Sequence, residues 1–205
     1  VVNNATVPIL ETGTGNCHIY IDESADYQTS ASIILNAKTQ RPGVCNAVET
    51  VLINRNWPYA NIQQLITTLI KHNVELYGDQ FLCANFKQIK LANETDWQTE
   101  YLALILAIKM VDDLDAAITH INKYGTKHTE CIITTNEENA RIFQRDIDAA
   151  VINVNASTRF TDGFMFGFGA ELGISTQKTH ARGPMGLKEI TSYKYLVTGH
   201  GDIRK

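Results

Sequence analysis

"YLALILAIKMVDDLDAAITHINKYGTKHTECIITT", residues 101–135, decides the fold. It opens on a nearly continuous apolar run, 101–111, as expected of a strand covered on both faces. Asp113 is placed to cap a helix, because its carboxylate can accept the unpaired amide N–H groups of a first turn. Leu114, Ala117, Ile118 and Ile121 recur at helical spacing, and Gly125 ends the helix. "CIITT", 131–135, reads as a second strand. Strand, helix and strand with short connections make a parallel α/β unit with a right-handed crossover.

The pattern continues in both directions. Downstream, "EENARIFQRDI" (137–147) is a helix and "AVINVN" (150–155) a strand. Upstream, "HIYID" (18–22) is a strand leading to a helix that Ser24 can cap. Ala25, Ile33, Ile34 and Ala37 give that helix a modest apolar face, and Pro42-Gly43 stops it. "ETVLINR" (49–55) reads as a buried strand, "NIQQLITTLIKH" (61–72) as an amphipathic helix and "VELYG" (74–78) as a short strand. From Ser157 the composition turns to glycine and aromatics. "STRFTDGFMFGFGAELGIST" (157–176) is expected to be an ordered loop, because its phenylalanines need burial. A late strand, "SYKYLVT" (192–198), closes the chain. The expected fold is α/β, a largely parallel open sheet with flanking helices plus a C-terminal assembly strand. Ligands of such sheets usually sit beyond the carboxyl ends of the strands.

A length of 205 residues suffices for a sizeable core without disulfides or metal. The formal net charge of −4 gives no reason to expect nucleic acid or an anionic membrane as partner. No apolar run approaches the roughly 20 residues needed to span a bilayer. Cys17, Cys45, Cys83 and Cys131 are scattered without a C-x-x-C pair, which argues against a zinc site and fits a reducing compartment. The first residue is Val1, so the chain is expected to be a processed or excised piece.

Four features could carry chemistry. Cys45 follows a helix-breaking turn and precedes a strand, with Lys38 and Arg41 close in sequence to favour its thiolate; a buried inert cysteine is the plain alternative. Glu11 begins a turn after "VPIL", where a partly desolvated general base could stand. "ETGTGN" (11–16) lacks the full phosphate-loop pattern and does not open a helix. Arg159 and Arg182 could hold a carboxylate or phosphate, with an ion pair the preferred reading for Arg182. The histidines form no ligand set, His18 and His120 being read as structural or surface residues and His128 as lying in a loop.

Five stretches carry a resemblance: "ETGTGNCHIYIDESAD", "NAKTQRPGVCNAVET", "TEYLALILAIKMVDDLDAAITHINKYGTKHTE", "NASTRFTDGFMFGFGAELGIST" and "HARGPMGL". Through them the chain resembles the C-terminal part of the gamma-glutamyl phosphate reductase family, in the aldehyde dehydrogenase superfamily. The resemblance implies that Cys45 is the thiol nucleophile and that Glu11 matches the superfamily's general base. It implies that Glu100 contacts the nicotinamide ribose, although the glycine-proline that usually follows is absent. Asn155, Ser157, Thr158, Arg159 and Phe160 match the loop that anchors the far end of the substrate, and Arg41 joins this substrate-binding set. The implied reaction is NADPH-dependent reduction of glutamyl phosphate through a cysteine thioester, in proline biosynthesis, without metal, by a cytoplasmic homodimer. The implied layout is a remnant of the cofactor-binding domain at 1–12, a catalytic domain at 13–182 and an assembly segment at 183–205. The dinucleotide-binding half is expected to precede this stretch, leaving the chain alone inactive. The rival readings are a non-catalytic α/β assembly module, or another acyl-phosphate or aldehyde dehydrogenase of the same superfamily.

Overall fold

The computed structural model describes residues 4–7 and 9–205. Part of the expected remnant at 1–12 therefore lies outside the described residues. Seven strands form one parallel sheet: β1 (Cys17–Ile21), β2 (Val48–Asn54), β3 (Glu75–Gly78), β4 (Lys90–Leu91), β5 (Ile105–Val111), β6 (Thr129–Ile133) and β7 (Val151–Val154). Their order is β4-β3-β5-β2-β1-β6-β7, and every pairing is parallel. Helices α1 (Tyr27–Thr39), α2 (Tyr59–Lys71) and α3 (Gln80–Asn85) cover one face, and α4 (Leu114–Tyr124) and α5 (Glu137–Asp146) cover the other. The expected α/β sheet with flanking helices is thus present.

The two faces share the strands residue by residue. Along β1, Ile19 and Ile21 join the core under α1 and α2, whereas Tyr20 joins the core under α4 and α5. Val51 and Ile53 repeat the first choice and Leu52 the second, as side chains of one strand must alternate. Each fully buried Ile or Leu contributes about 1.5–3 kcal/mol by leaving water. Helices α3, α4 and α5 start at side-chain caps, Asp79 on the Leu82 N–H, Asp113 on the Ala116 N–H and Asn136 on the Glu138 and Asn139 N–H groups, whereas α2 starts at Pro58 without one.

Several expectations are corrected. Asp26, not Ser24, caps α1 through the Thr29 N–H (2.8 Å). Ser24 Oγ instead donates to Asp22 Oδ2 (2.7 Å) and lies 2.9 Å from Thr134 Oγ1, tying the ends of β1 and β6 together. The apolar run at 101–111 enters the sheet only at Ile105, because Leu102 turns into the left-handed region (φ 54°). The phenylalanines of the glycine-rich loop are not buried: Phe164, Phe166 and Phe168 are exposed, the last two edge to face on each other. Nor is "SYKYLVT" a strand here. Residues 192–198 have no regular structure and are exposed, because a strand needs an edge to pair with and no described strand pairs with this segment. The late chain instead forms a small antiparallel pair, β8 (Gly173–Ser175) with β9 (Gly183–Met185). Asp148 ties this hairpin to the sheet, contacting Arg182 (2.7 Å), Lys178 (2.9 Å) and Lys127 (3.2 Å). Arg182 therefore serves the ion pair its sequence context suggested. No helix among the described residues is long and apolar enough to cross a membrane.

Candidate active site

Because all seven strands run the same way, the segments that enter them gather at one end of the sheet. Gly15–Cys17 enters β1, Val44–Ala47 enters β2, Glu100 lies before β5, and His128 stands at the start of β6. Cys45 and Glu100, two of the candidate site residues, lie here at the amino ends, and not beyond the carboxyl ends as the general rule suggests. A cavity of about 470 Å³ does open at the carboxyl ends beside Arg55 and Asp79, but none of the sequence-predicted site residues lines it.

Cys45 sits in a β-turn closed by the Ala47 N–H donating to the Val44 carbonyl (3.0 Å). Its side chain is half-buried, as is that of Cys83, whereas Cys17 and Cys131 are buried. Burial pushes the Cys45 thiol above its ordinary range, and the Glu171 and Glu100 carboxylates push the same way. Its own backbone N–H and the Arg159 guanidinium oppose them. The expected helpers do not take part. Arg41 is exposed, and Lys38 is buried with its ammonium 2.7 Å from Glu49 Oε2. Lys38 also donates to the Ala103 carbonyl (3.1 Å), while Glu49 Oε1 accepts the Leu102 N–H (3.3 Å). The pair thus holds the left-handed turn at Leu102. Lys38 was misread because lysine so close to an exposed turn is normally solvated; Glu49, a lone acid in an apolar strand, was the available sign of a buried partner.

Glu100 is half-buried and accepts the Gly15 N–H (2.8 Å) through one oxygen. Arg159 reaches back toward α1 and the turn, donating to Gln40 Oε1 (3.0 Å) and to Asn46 Oδ1. Asn46 in turn donates to the Thr161 carbonyl (2.9 Å). A cavity of about 330 Å³ opens beside Arg159 and Phe160, bounded also by Asn36, Gln40, Asp162 and Met165. The structure thus brings together Cys45, Glu100, Arg159 and Phe160, and adds Asn46 and Glu171, which sequence reasoning missed.

The rest of the expected set lies elsewhere or acts on backbone. Asn155 is at the opposite end of the sheet, at the end of β7. Its side chain accepts the Thr134 N–H (2.9 Å) and donates to the Thr134 carbonyl (2.8 Å), from a left-handed backbone (φ 52°) that asparagine tolerates. Ser157 caps a short turn through the Arg159 N–H (3.3 Å), and Thr158 is fully buried. Glu11 is exposed, with its N–H bonded to Gln177 Oε1 (3.1 Å), so its contact is to the β8–β9 region. The histidines divide: His18 is buried against Glu130 (3.1 Å), His120 is buried, and His128, read as a loop residue, is fully buried where β6 begins.

All of the chain aligns, over 204 residues, with a gamma-glutamyl phosphate reductase of Geobacillus sp. (strain WCH70), at 62% identity. Over its whole length the chain is similar to gamma-glutamyl phosphate reductases. It spans about half the length of the curated relatives it matches, 49% of this one. A solved gamma-glutamyl phosphate reductase from Thermotoga maritima is 53% identical with a TM-score of 0.92, over 99% of this chain and 49% of that one. An acetylating aldehyde dehydrogenase from Geobacillus thermoglucosidasius, 18% identical, shares the fold with a TM-score of 0.70 over 99% of this chain and 54% of its own. No family model matches the chain.

Proposed function

We propose that the protein to which this chain belongs reduces L-glutamyl 5-phosphate to L-glutamate 5-semialdehyde with NADPH, releasing phosphate in a step toward proline. The observation that carries this reading is Cys45 on its turn with Arg159 fixed beside it, in a chain similar to gamma-glutamyl phosphate reductases. Cys45 attacks the acyl carbon as thiolate, the bond from carbon to the phosphate oxygen breaks, and inorganic phosphate leaves. A thioester on Cys45 splits one difficult displacement into two easier steps. Among the described residues the Cys45 and Asn46 N–H groups donate to no neighbouring residue, which leaves them available to the developing oxyanion. Arg159, with part of its guanidinium committed to Gln40 and Asn46, offers its remaining N–H groups to a carboxylate or phosphate of the substrate. Glu11 is assigned no step.

NADPH would supply the hydride that reduces the thioester. Glu100 fits a ribose hydroxyl, since one oxygen is held by Gly15 and the other has no partner among the described residues. Cys45 then leaves as thiolate when the aldehyde forms. The test uses the protein at the length of its relatives and measures NADP-dependent, phosphate-dependent oxidation of glutamate 5-semialdehyde. Cys45→Ser is expected to lower the rate about a thousandfold or more. A variant that keeps the wild-type rate would remove the thioester from the scheme.

The same reading places the protein in the cytoplasm as a homodimer, with residues 192–198 at or near the contact. Tyr193, Tyr195, Leu196 and Val197 stand fully in solvent in the single chain, as an unpaired assembly segment would. Lysine at 195 and 197 in the relative-length protein is expected to halve the mass seen by light scattering; an unchanged dimer would end this assignment.

A further inference from the structure

Two residues entering β1 bear on one peptide. Cys17, fully buried, donates its thiol hydrogen to the Cys45 carbonyl (3.2 Å). Gly15 lies against the same carbonyl so closely that a Cβ built there would be 1.6 Å from the oxygen. The Cys17 N–H is bonded to the Gly15 carbonyl (3.0 Å), so donor and bed form one unit.

The thiol has no better partner. His128 Nδ1 is 3.8 Å away and is engaged with Thr129 Oγ1 (2.8 Å), whose own hydroxyl donates to Thr161 Oγ1 (2.9 Å). With that hydroxyl committed, His128 must carry its hydrogen on Nδ1 and has no lone pair there for Cys17. Burial raises the Cys17 thiol well above its ordinary range and lowers His128 to about 4, so both are neutral at pH 7 and Cys17 remains a donor. A peptide unit is planar, so a carbonyl pinned toward β1 turns the Asn46 N–H of the same unit away from β1.

We propose that Cys17 is a positioning residue for Cys45: its S–H fixes the peptide bond that follows the nucleophile, and with it the turn that carries the Cys45 thiol. The catalytic meaning of this role rests on the function proposed above, whereas the geometry does not. A loosened turn lets the Cys45 N–H drift from its own sulfur, which disfavours the thiolate.

The test follows alkylation of Cys45 against pH in the 205-residue chain, peptide by peptide by mass spectrometry. Cys17→Ala removes the donor, Cys17→Val removes it without leaving a cavity, and Cys17→Ser keeps a hydroxyl donor. Changed access alters the limiting rate, while only a change in thiol ionisation moves the inflection. The inflection is expected to rise by about half a unit to one unit in the alanine and valine variants, the size one hydrogen bond allows, and to stay near wild type with serine. An unmoved inflection in both apolar variants would overturn the proposal. So would an equal rise with serine, since volume and not the donor would then matter. Should the apolar variants not fold, the infrared S–H stretch of the unsubstituted chain decides. The band lost in Cys17→Ser is expected at lowered frequency, and a free-thiol frequency overturns the proposal. The Cys45→Ser activity assay stands or falls separately from all of these readings.

Discussion

Gly15→Ala is expected to displace Cys45, the proposed nucleophile, and abolish most of the activity proposed for the relative-length protein. The added Cβ would fall 1.6 Å from the Cys45 oxygen, 2.3 Å from its carbon and 2.6 Å from its Cα. All three are backbone atoms, so no rotamer change can relieve the clash. Either the turn moves or the entry to β1 does, and β1 is an interior strand paired on both sides, with β2 and β6. Overpacking of this kind costs about 1–3 kcal/mol or more, and a displacement near 1 Å costs about a hundredfold in rate. Gly43→Ala supplies the control from the same loop, since its Cβ would meet only the Leu102 carbonyl oxygen at 3.6 Å. Urea denaturation and initial rates of both variants check this. Equal behaviour of the two would mean that the packing of Gly15 on Cys45 has no consequence.

Lys38→Met is expected to cost about 3–5 kcal/mol of stability, because it leaves a buried carboxylate without its partner. Burial pushes Glu49 up to about 7 and pushes Lys38 down, while each attracts the other's charged form. Without the ammonium, Glu49 moves further up. A carboxyl whose folded value is raised stabilises the fold at low pH and loses that contribution as pH rises from the unfolded carboxylate range through the folded value. The deficit of the variant against wild type should therefore be smallest near pH 5 and grow toward pH 8. Replacing both partners, Lys38→Met with Glu49→Leu, should recover most of the loss and flatten its pH dependence. Denaturation midpoints at the two pH values measure it, and a deficit independent of pH would contradict an ionised, unpartnered Glu49.

These two positions also show what was legible in the sequence. The strands and helices were readable because their periodicity is set by burial, and burial here follows the two faces of the sheet, as at Ile19, Tyr20 and Ile21. The short β3–α3–β4 region gave too few turns of pattern to define its last two elements. Cys45 and Arg159 could be named from their sequence context and the family resemblance, but not the side of the sheet on which they meet. That depends on Gly15, Asn46 and the returning segment 155–161, whose contacts span 28 to 119 residues. Lys38 and Arg41 could favour the thiolate only by lying close to it in space; Lys38 is instead buried on Glu49, and the cation acting on Cys45 is Arg159. Phe164, Phe166 and the 192–198 segment, whose apolar residues suggest cover or pairing, are instead exposed among the described residues.

The position of β1 carries a consequence for how the chain is made. One edge of β1 is closed only by β6, about 112 residues later in the chain. At common translation rates of about 5–20 residues per second that interval is roughly 6–22 s. Through it a strand that is fully buried in the finished fold offers an open edge, to be guarded by α1 or by a chaperone until Thr129–Ile133 emerges.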